Sequence, residues 1–346
     1  MKIGVLTGGG DAPGLNAAIR AVTRHALLAG DTVVGVRNGW AGMLGEGDTL
    51  ELGRREVAGI LPLGGTILGT SSKVNPVTLD GGEDQVMSAI RRLRLDALVA
   101  IGGDGTLSIA SHFATLGAPL TAIGKTIDND LSVTEYCIGF DSAVTIVAEA
   151  LDRLHTTATA HHRVMVLEVM GRDTGWLAAI GGLAGGADMV VIPEVPTTVD
   201  DLLDHLRARR AAGSDFSLVV VAEGASIHGL RLSRAGDPPD ANGHRATPRM
   251  ALRGVGERLA AVIESSSGVE TRATVLGHTQ RGGTPSAFDR IWATRVGVAA
   301  HQFAADGQFG SMPVVRDGTI ATAPIADVAR KHRLPPDWYD LAKVFF

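Results

Sequence analysis

Cysteine is nearly absent: Cys137 is the only one in 346 residues. A single thiol excludes an intrachain disulfide framework and a cysteine-built metal cluster. Aromatic residues are also scarce, at 4 %. Positive charge is not in surplus. The formal net charge is −5, which argues against a basic face for nucleic acid. Uninterrupted apolar runs stay short of the ~18 residues that a membrane span needs. The opening residues, Met1 to Leu6, run into a glycine turn rather than a secretory leader. A reduced, cytoplasmic setting is expected, with no nucleic-acid and no membrane partner.

What is abundant is glycine, 45 of 346 residues, about 13 % against a typical ~7 %. Coding bias accounts for part of such an excess. Many tight turns and close backbone approaches account for the rest, as in an α/β enzyme with several phosphate-binding loops. Hydrophobic content of 45 % and charged content of 20 % are ordinary for a globular protein. The length suits a large core and two domains.

Short apolar runs alternate with helical patterns along the chain. Strands are expected at Ile3 to Leu6, Thr32 to Val36, Ala97 to Ile101, Leu120 to Ile123, Val164 to Val169, Met189 to Ile192, Leu218 to Ala222 and Thr271 to Leu276. Helices are expected at Leu15 to Leu28, Leu107 to Thr115, Ser142 to Thr156, Val199 to Ala212 and Met250 to Ser265. This alternation implies βαβ units and a mostly parallel, doubly wound sheet. Ile227 to Arg249 lacks a sustained period and reads as a surface loop or insertion.

Ligands of doubly wound sheets lie beyond the carboxyl ends of strands. Polar, glycine-rich segments follow strand after strand here. Gly8-Gly9-Gly10-Asp11 is either a tight turn or a phosphate site at the start of a helix. Gly102-Gly103-Asp104-Gly105-Thr106 joins small residues, over which amides can approach phosphate, to a carboxylate suited to Mg²⁺. Lys125-Thr126-Ile127-Asp128-Asn129-Asp130 places two carboxylates and an ammonium within six residues. It reads as an Asx-rich turn beside a surface lysine, or as a base and a phosphate cation. Arg163 and Arg172 flank one strand; Arg272, His278 and Arg281 lie at and beyond another, suiting a phosphomonoester. Together these are the parts of a phosphoryl-transfer enzyme.

From Met1 to at least Arg290 these residues, in this order, resemble the phosphofructokinase family. Thr126 to Asp130, Met170-Gly171-Arg172 and Gly277-His278-Thr279-Gln280-Arg281-Gly282-Gly283 carry the likeness in combination. Gly102 to Thr106 alone is shared with NAD kinases and diacylglycerol kinases, so an NAD or lipid kinase is the remote alternative. A silent metabolite-binding subunit is disfavoured because Asp104 and Asp128 are both present.

The resemblance implies two doubly wound, Rossmann-like domains with the active site in the cleft between them. Residues 1–139 plus about 280–330 would form the ATP and Mg²⁺ domain. Residues of about 140–279 plus 331–346 would form the fructose 6-phosphate domain, with the insertion at about 227–249. It further implies roles. Asp128 is the base for the sugar 1-hydroxyl, Asp104 holds Mg²⁺ with Asp130 nearby, and Gly10 and Arg172 stabilise the moving phosphoryl group. Thr126, Met170, Gly171 and Glu223 position the sugar. His278 and Arg281 grip the 6-phosphate, joined by Arg163 and Arg272 from a neighbouring subunit, which implies a homodimer or homotetramer. Lys73 stands where many members place an arginine at the donor. Ile109 stands where ATP users often have a small residue.

Two residues bear on the donor. Gly105 leaves room for the α-phosphate of ATP, whereas pyrophosphate users usually have aspartate there. Lys125 is similar to the pyrophosphate users, in which an ammonium stabilises the leaving phosphate. The chain therefore looks like the mixed-substrate branch. The missing side chain is a requirement for ATP, while the lysine need not exclude it, so ATP is the expected donor and pyrophosphate the alternative.

Overall fold

A computed structural model describes residues 1–230, 254–329 and 331–346. The chain divides into two compact units, Met1–Ala143 with Arg281–His332, and Val144–Gln280 with Arg333–Phe346.

The first unit begins with β1 (Lys2–Thr7), α1 (Leu15–Leu28), β2 (Thr32–Val36), β3 (Thr49–Glu51) and α2 (Gly82–Arg92). It continues with β4 (Ala97–Gly102), α3 (Asp104–Thr115) and β5 (Leu120–Gly124). Helix α4 (Phe140–His161) leads into the second unit. There follow β6 (Val164–Val169), α5 (Trp176–Ala184), β7 (Met189–Val191), β8 (Thr197–Thr198), α6 (Val199–Ala211), β9 (Ser217–Ala222) and β10 (Ile227–His228). Next come α7 (Val255–Ser267) and β11 (Thr271–Val275). Helix α8 (Ala287–Ala305), β12 (Ser311–Arg316) and β13 (Thr319–Pro324) return to the first unit, and α9 (Pro336–Lys343) closes the second.

The first sheet has the order β3-β2-β1-β4-β5, parallel except for the β3 edge. Alternate residues of each strand bury on opposite faces, as a pleated backbone dictates. Leu6, Leu98 and Leu120 pack with Val86 of α2 and Phe113 of α3. Val5, Val99 and Ile123 pack with Ile19 of α1 and Val296 of α8. Burial on both faces explains the short continuous apolar runs. The second sheet, β11-β6-β9-β7, is parallel throughout. Val166, Val219 and Val221 pack there with Leu202 of α6 and Leu259 of α7.

Strand order fixes where ligands can go. From β1 the chain winds outward to β2 and β3, then returns to the other side of β1 as β4. From β6 it winds to β7 and β9, then returns to the other side of β6 as β11. Each reversal opens a crevice at the strand carboxyl ends. The segments at those ends are Gly8–Gly10 with Gly102–Thr106, and Met170–Arg172 with Gly277–Arg281.

Several helices differ from expectation. Helix α4 is longer, at 22 residues, and α3 starts earlier, at Asp104. Of the expected 227–249 insertion, Ile227–His228 is a strand pairing in parallel with Thr197–Thr198; residues 231–249 lie outside the described residues. The expected helix Met250 to Ser265 is described from Val255 and runs to Ser267. Residues 250–253 again lie outside the described set.

Candidate active site

The crevice of the first unit is built by close backbone approach. Gly8 N donates to Ile101 O at 2.9 Å, which joins the β1 and β4 loops. The Thr106 side chain sits between the two loops: a Cβ at Gly102 would lie 2.4 Å from it, and one at Gly8 2.5 Å. Glycine is therefore a packing requirement at both positions. The segment at 66–71 is laced to the same turn. Thr70 Oγ1 donates to Gly9 O at 2.6 Å, Thr7 Oγ1 donates to Gly69 O at 2.8 Å, and Gly9 N donates to Ser71 O at 3.1 Å. Lys73 follows that segment and is exposed.

Gly10 meets two cations. The Lys125 ammonium donates to its carbonyl, and a Cβ at Gly10 would stand 2.8 Å from Arg281 Nη1. Arg281 Nη1 donates to Asp11 O at 3.2 Å. Lys125 is only 2 % exposed, so it is not an ordinary surface lysine.

Asp128 and Asp130 are buried at 2 % and 6 % exposure. The turn that carries them is fixed from within: Asp128 N donates to Thr126 Oγ1 at 3.1 Å, and Cys137 N donates to Asn129 Oδ1 at 2.9 Å. Asn129 adopts φ +49, a left-handed conformation that asparagine tolerates. Burial pushes the Cys137 thiol far up, and the Asp130 and Asp128 charges push it further.

Asp104 is exposed at the start of α3, and its Oδ1 accepts from Gly105 N at 2.8 Å. A cavity of about 590 Å³ opens beside it, lined among others by Asp104, Gly105, Ser108, Asp130, Ile325 and Lys331. A Cβ at Gly105 would meet nothing within 4 Å. Asp130 Oδ1 is buried without a hydrogen-bond partner. Two carboxylates on one cavity, one with an unmatched oxygen, fit a hard cation that takes one or two carboxylates along with phosphate oxygens. Among the described residues no group of three or more His, Cys, Asp or Glu could hold a metal alone.

In the second unit, the loop after β6 turns sharply. Gly171 has φ +143, and a Cβ there would lie 2.6 Å from Thr174 O. Arg172 follows at φ +51, an uncommon conformation for an arginine and one that functional loops retain. Arg172 N donates to Glu223 Oε1 at 3.2 Å, and Met170 N donates to Gln280 Oε1 at 2.7 Å. The structure thus brings Arg172 and Glu223 together. Arg172, Glu223 and His278 are exposed. Arg272 does not lie with His278 beyond the strand: it and Arg163 sit at the amino ends of β11 and β6, joined by Glu270, with Arg163 Nε 2.7 Å from Oε2 and Arg272 Nη2 donating to Oε1 at 2.6 Å. Their partnership holds Glu270 below the usual carboxylate range, chiefly through the Arg163 contact.

A family model described as Phosphofructokinase matches residues 2–304. The chain belongs to the phosphofructokinase family. A pyrophosphate–fructose 6-phosphate 1-phosphotransferase of Amycolatopsis methanolica is 47 % identical over 349 residues, covering all of both chains. An ATP-dependent 6-phosphofructokinase 3 of Streptomyces coelicolor is 46 % identical, covering 97 % of each. Among solved structures, the T-state phosphofructokinase of Pichia pastoris matches with TM-score 0.81 and 32 % identity, covering 99 % of this chain and 36 % of that one.

Ile109 of α3 turns away from the cavity. It is 9 % exposed and packs in the core with Phe113 and Leu120, so it does not line the cavity; Ser108 and Ser111 do. The helical period decides this, since adjacent residues point about 100° apart. Ser108, Ile325 and Lys331 were not expected at the site. No local motif marks them, because the cavity wall joins α3 to a segment more than 200 residues later. Gln280 lies between His278 and Arg281, whose charges mark that motif where a neutral amide does not. Among the described residues no helix is long and apolar enough to cross a membrane.

Proposed function

We propose that this chain is a 6-phosphofructokinase that transfers a phosphoryl group from ATP to the 1-hydroxyl of D-fructose 6-phosphate, giving fructose 1,6-bisphosphate and ADP. The observation that carries ATP as donor is the open space at Gly105. A side chain would project there toward a cavity of about 590 Å³, within the roughly 300–1,000 Å³ usual for small-molecule sites and generous for pyrophosphate alone. The second reading is a pyrophosphate-dependent phosphotransferase. Lys125 against Gly10 favours it, as does the name of the Amycolatopsis relative.

In this reading Asp128 accepts the proton of the 1-hydroxyl as the sugar oxygen attacks. Its buried turn holds it where a base must be preset. Asp104 and Asp130 would hold Mg²⁺, which supplies charge neutralisation on the donor phosphates. Gly102, Gly103, Gly105 and Thr106 form the donor loop with Gly10 and Lys73. Lys125 and Arg172 offset charge on the phosphoryl group. Thr126, Met170, Gly171 and Glu223 position the sugar, and His278 and Arg281 bind its 6-phosphate. Arg163 and Arg272 would serve a neighbouring copy, so the proposal includes a cytoplasmic homodimer or homotetramer with shared sites. The domains proposed are 1–139 plus about 280–330 for the donor, and about 140–279 plus 331–346 for the sugar phosphate.

The test is product analysis with fructose 6-phosphate, ATP and Mg²⁺, alongside NAD and diacylglycerol as rival acceptors. Formation of fructose 1,6-bisphosphate is expected. Turnover of NAD or diacylglycerol with none of the sugar phosphate would overturn the reading.

A further inference from the structure

Gln280 is 0 % exposed and has no role in the reading above. Its place follows from how the β6–β11 ladder ends. The two strands pair in parallel through Val275 and Glu168, and Leu276 N still donates to Glu168 O at 3.0 Å. The chain then tightens into a 3₁₀ turn at Gly277–Arg281. That turn consumes the next acceptor, since Thr279 N and Thr279 Oγ1 both donate to Leu276 O, at 3.2 and 2.6 Å.

Parallel ladders direct alternate residues to alternate neighbours. Glu223 N donates to Val169 O, so Val169 faces β9, while Glu168 and Met170 face β11. The Met170 amide thus points at a strand that has already turned away. Gln280 Oε1 takes that amide at 2.7 Å. The other end of the same side chain, Nε2, is buried without a hydrogen-bond partner. Leaving a buried donor unmatched is costly, and an apolar side chain would avoid it. An amide kept under that penalty is there for its acceptor oxygen.

We infer that Gln280 is a positioning residue: its side chain extends the ladder by one bond and sets the Met170–Arg172 loop in register with His278. Both segments belong to the proposed sugar-phosphate side, so the inference rests on that reading. Gln280 would act on the acceptor through Met170 and Arg172, and would leave the donor side unaffected.

The test is steady-state kinetics of wild type, Gln280→Leu and Gln280→Glu in the full chain, with fructose 6-phosphate and the donor each varied in turn. Gln280→Leu is expected to lower kcat/KM for fructose 6-phosphate by about 10²-fold, the scale of a misplaced reacting group, with the donor KM unchanged. Gln280→Glu keeps an oxygen at the same reach and is expected to recover most of the loss. Hydrogen exchange should show the Met170 amide less protected in Gln280→Leu than in Gln280→Glu. An unchanged kcat/KM for fructose 6-phosphate in Gln280→Leu, or equal shifts in both substrates' KM, would overturn the inference. If the leucine variant does not fold, Gln280→Glu decides alone: near-wild-type behaviour supports the role, and a loss as deep as that predicted for leucine contradicts it. Should the wild type fail to phosphorylate fructose 6-phosphate at all, the sugar-phosphate reading fails instead.

Discussion

The two crevices are built on one topological plan and finished differently. In the first crevice Asp104 is exposed, but the groups that follow β5 are buried and tied to backbone: Lys125 is 2 % exposed and bonded to Gly10, and Asp128 is 2 % exposed in a turn closed by Thr126. At the carboxyl ends of β6, β9 and β11 Arg172, Glu223 and His278 are exposed, while Arg163 and Arg272 lie at the amino ends of β6 and β11, held by Glu270. A site that must stabilise a developing charge gains from dipoles and charges fixed beforehand. One that must admit and release a phosphorylated sugar gains from exposed cations, because screened charge contacts exchange at little cost.

Removing the base breaks the comparison most severely. Asp128→Asn should lower kcat by at least ~10²-fold while the folded protein persists. Intact turnover in that variant would show that the buried turn is not where the proton goes. Gly105→Asp comes next. The backbone has room for it, so it should fold and should suppress ATP use far more than pyrophosphate use. Equal losses with the two donors would remove the steric argument.

On the other side, Gly171→Ala strains a φ of +143 and sets Cβ 2.6 Å from Thr174 O. It should cost about 1–3 kcal/mol of stability and raise KM for fructose 6-phosphate, with the donor KM unmoved. A change in donor KM alone would reverse the assignment of the two crevices.

The effect most remote from the chemistry concerns Asp289, which caps α4 by accepting from Gly139 N, Ser142 N and Ser142 Oγ. Burial lifts its pKa to about 6, more than these bonds lower it. The folded state therefore holds the proton more tightly than the unfolded chain. That contribution is complete below the ordinary carboxylate range and lost as pH rises through about 6. The stability of wild type relative to Asp289→Asn should fall between pH 4 and pH 6, by up to about 3 kcal/mol, and stay level above. An equal difference at pH 4 and pH 7, measured by denaturant titration, would contradict this.

How much was legible in the sequence follows the same division. The strands Ile3 to Leu6, Ala97 to Ile101 and Val164 to Val169 were legible because burial on both faces leaves continuous apolar runs. Helix α5 was not: Trp176–Ala184 carries apolar residues and glycines all round, so no periodic stripe marks it. Short edge elements such as Thr49–Glu51 carry no run at all. The β1 and β4 loops were legible as local motifs, since each packs its function into five or six consecutive residues. The cavity wall at Ile325 and Lys331, and the bond from Gln280 to Met170, were not, because each depends on segments brought together only by folding.

The central claim is that the open space at Gly105 makes ATP the donor despite Lys125. Its most direct test is kcat/KM of the wild-type protein for ATP and for pyrophosphate, each with fructose 6-phosphate and Mg²⁺. A value favouring ATP is predicted; a value favouring pyrophosphate would contradict the account.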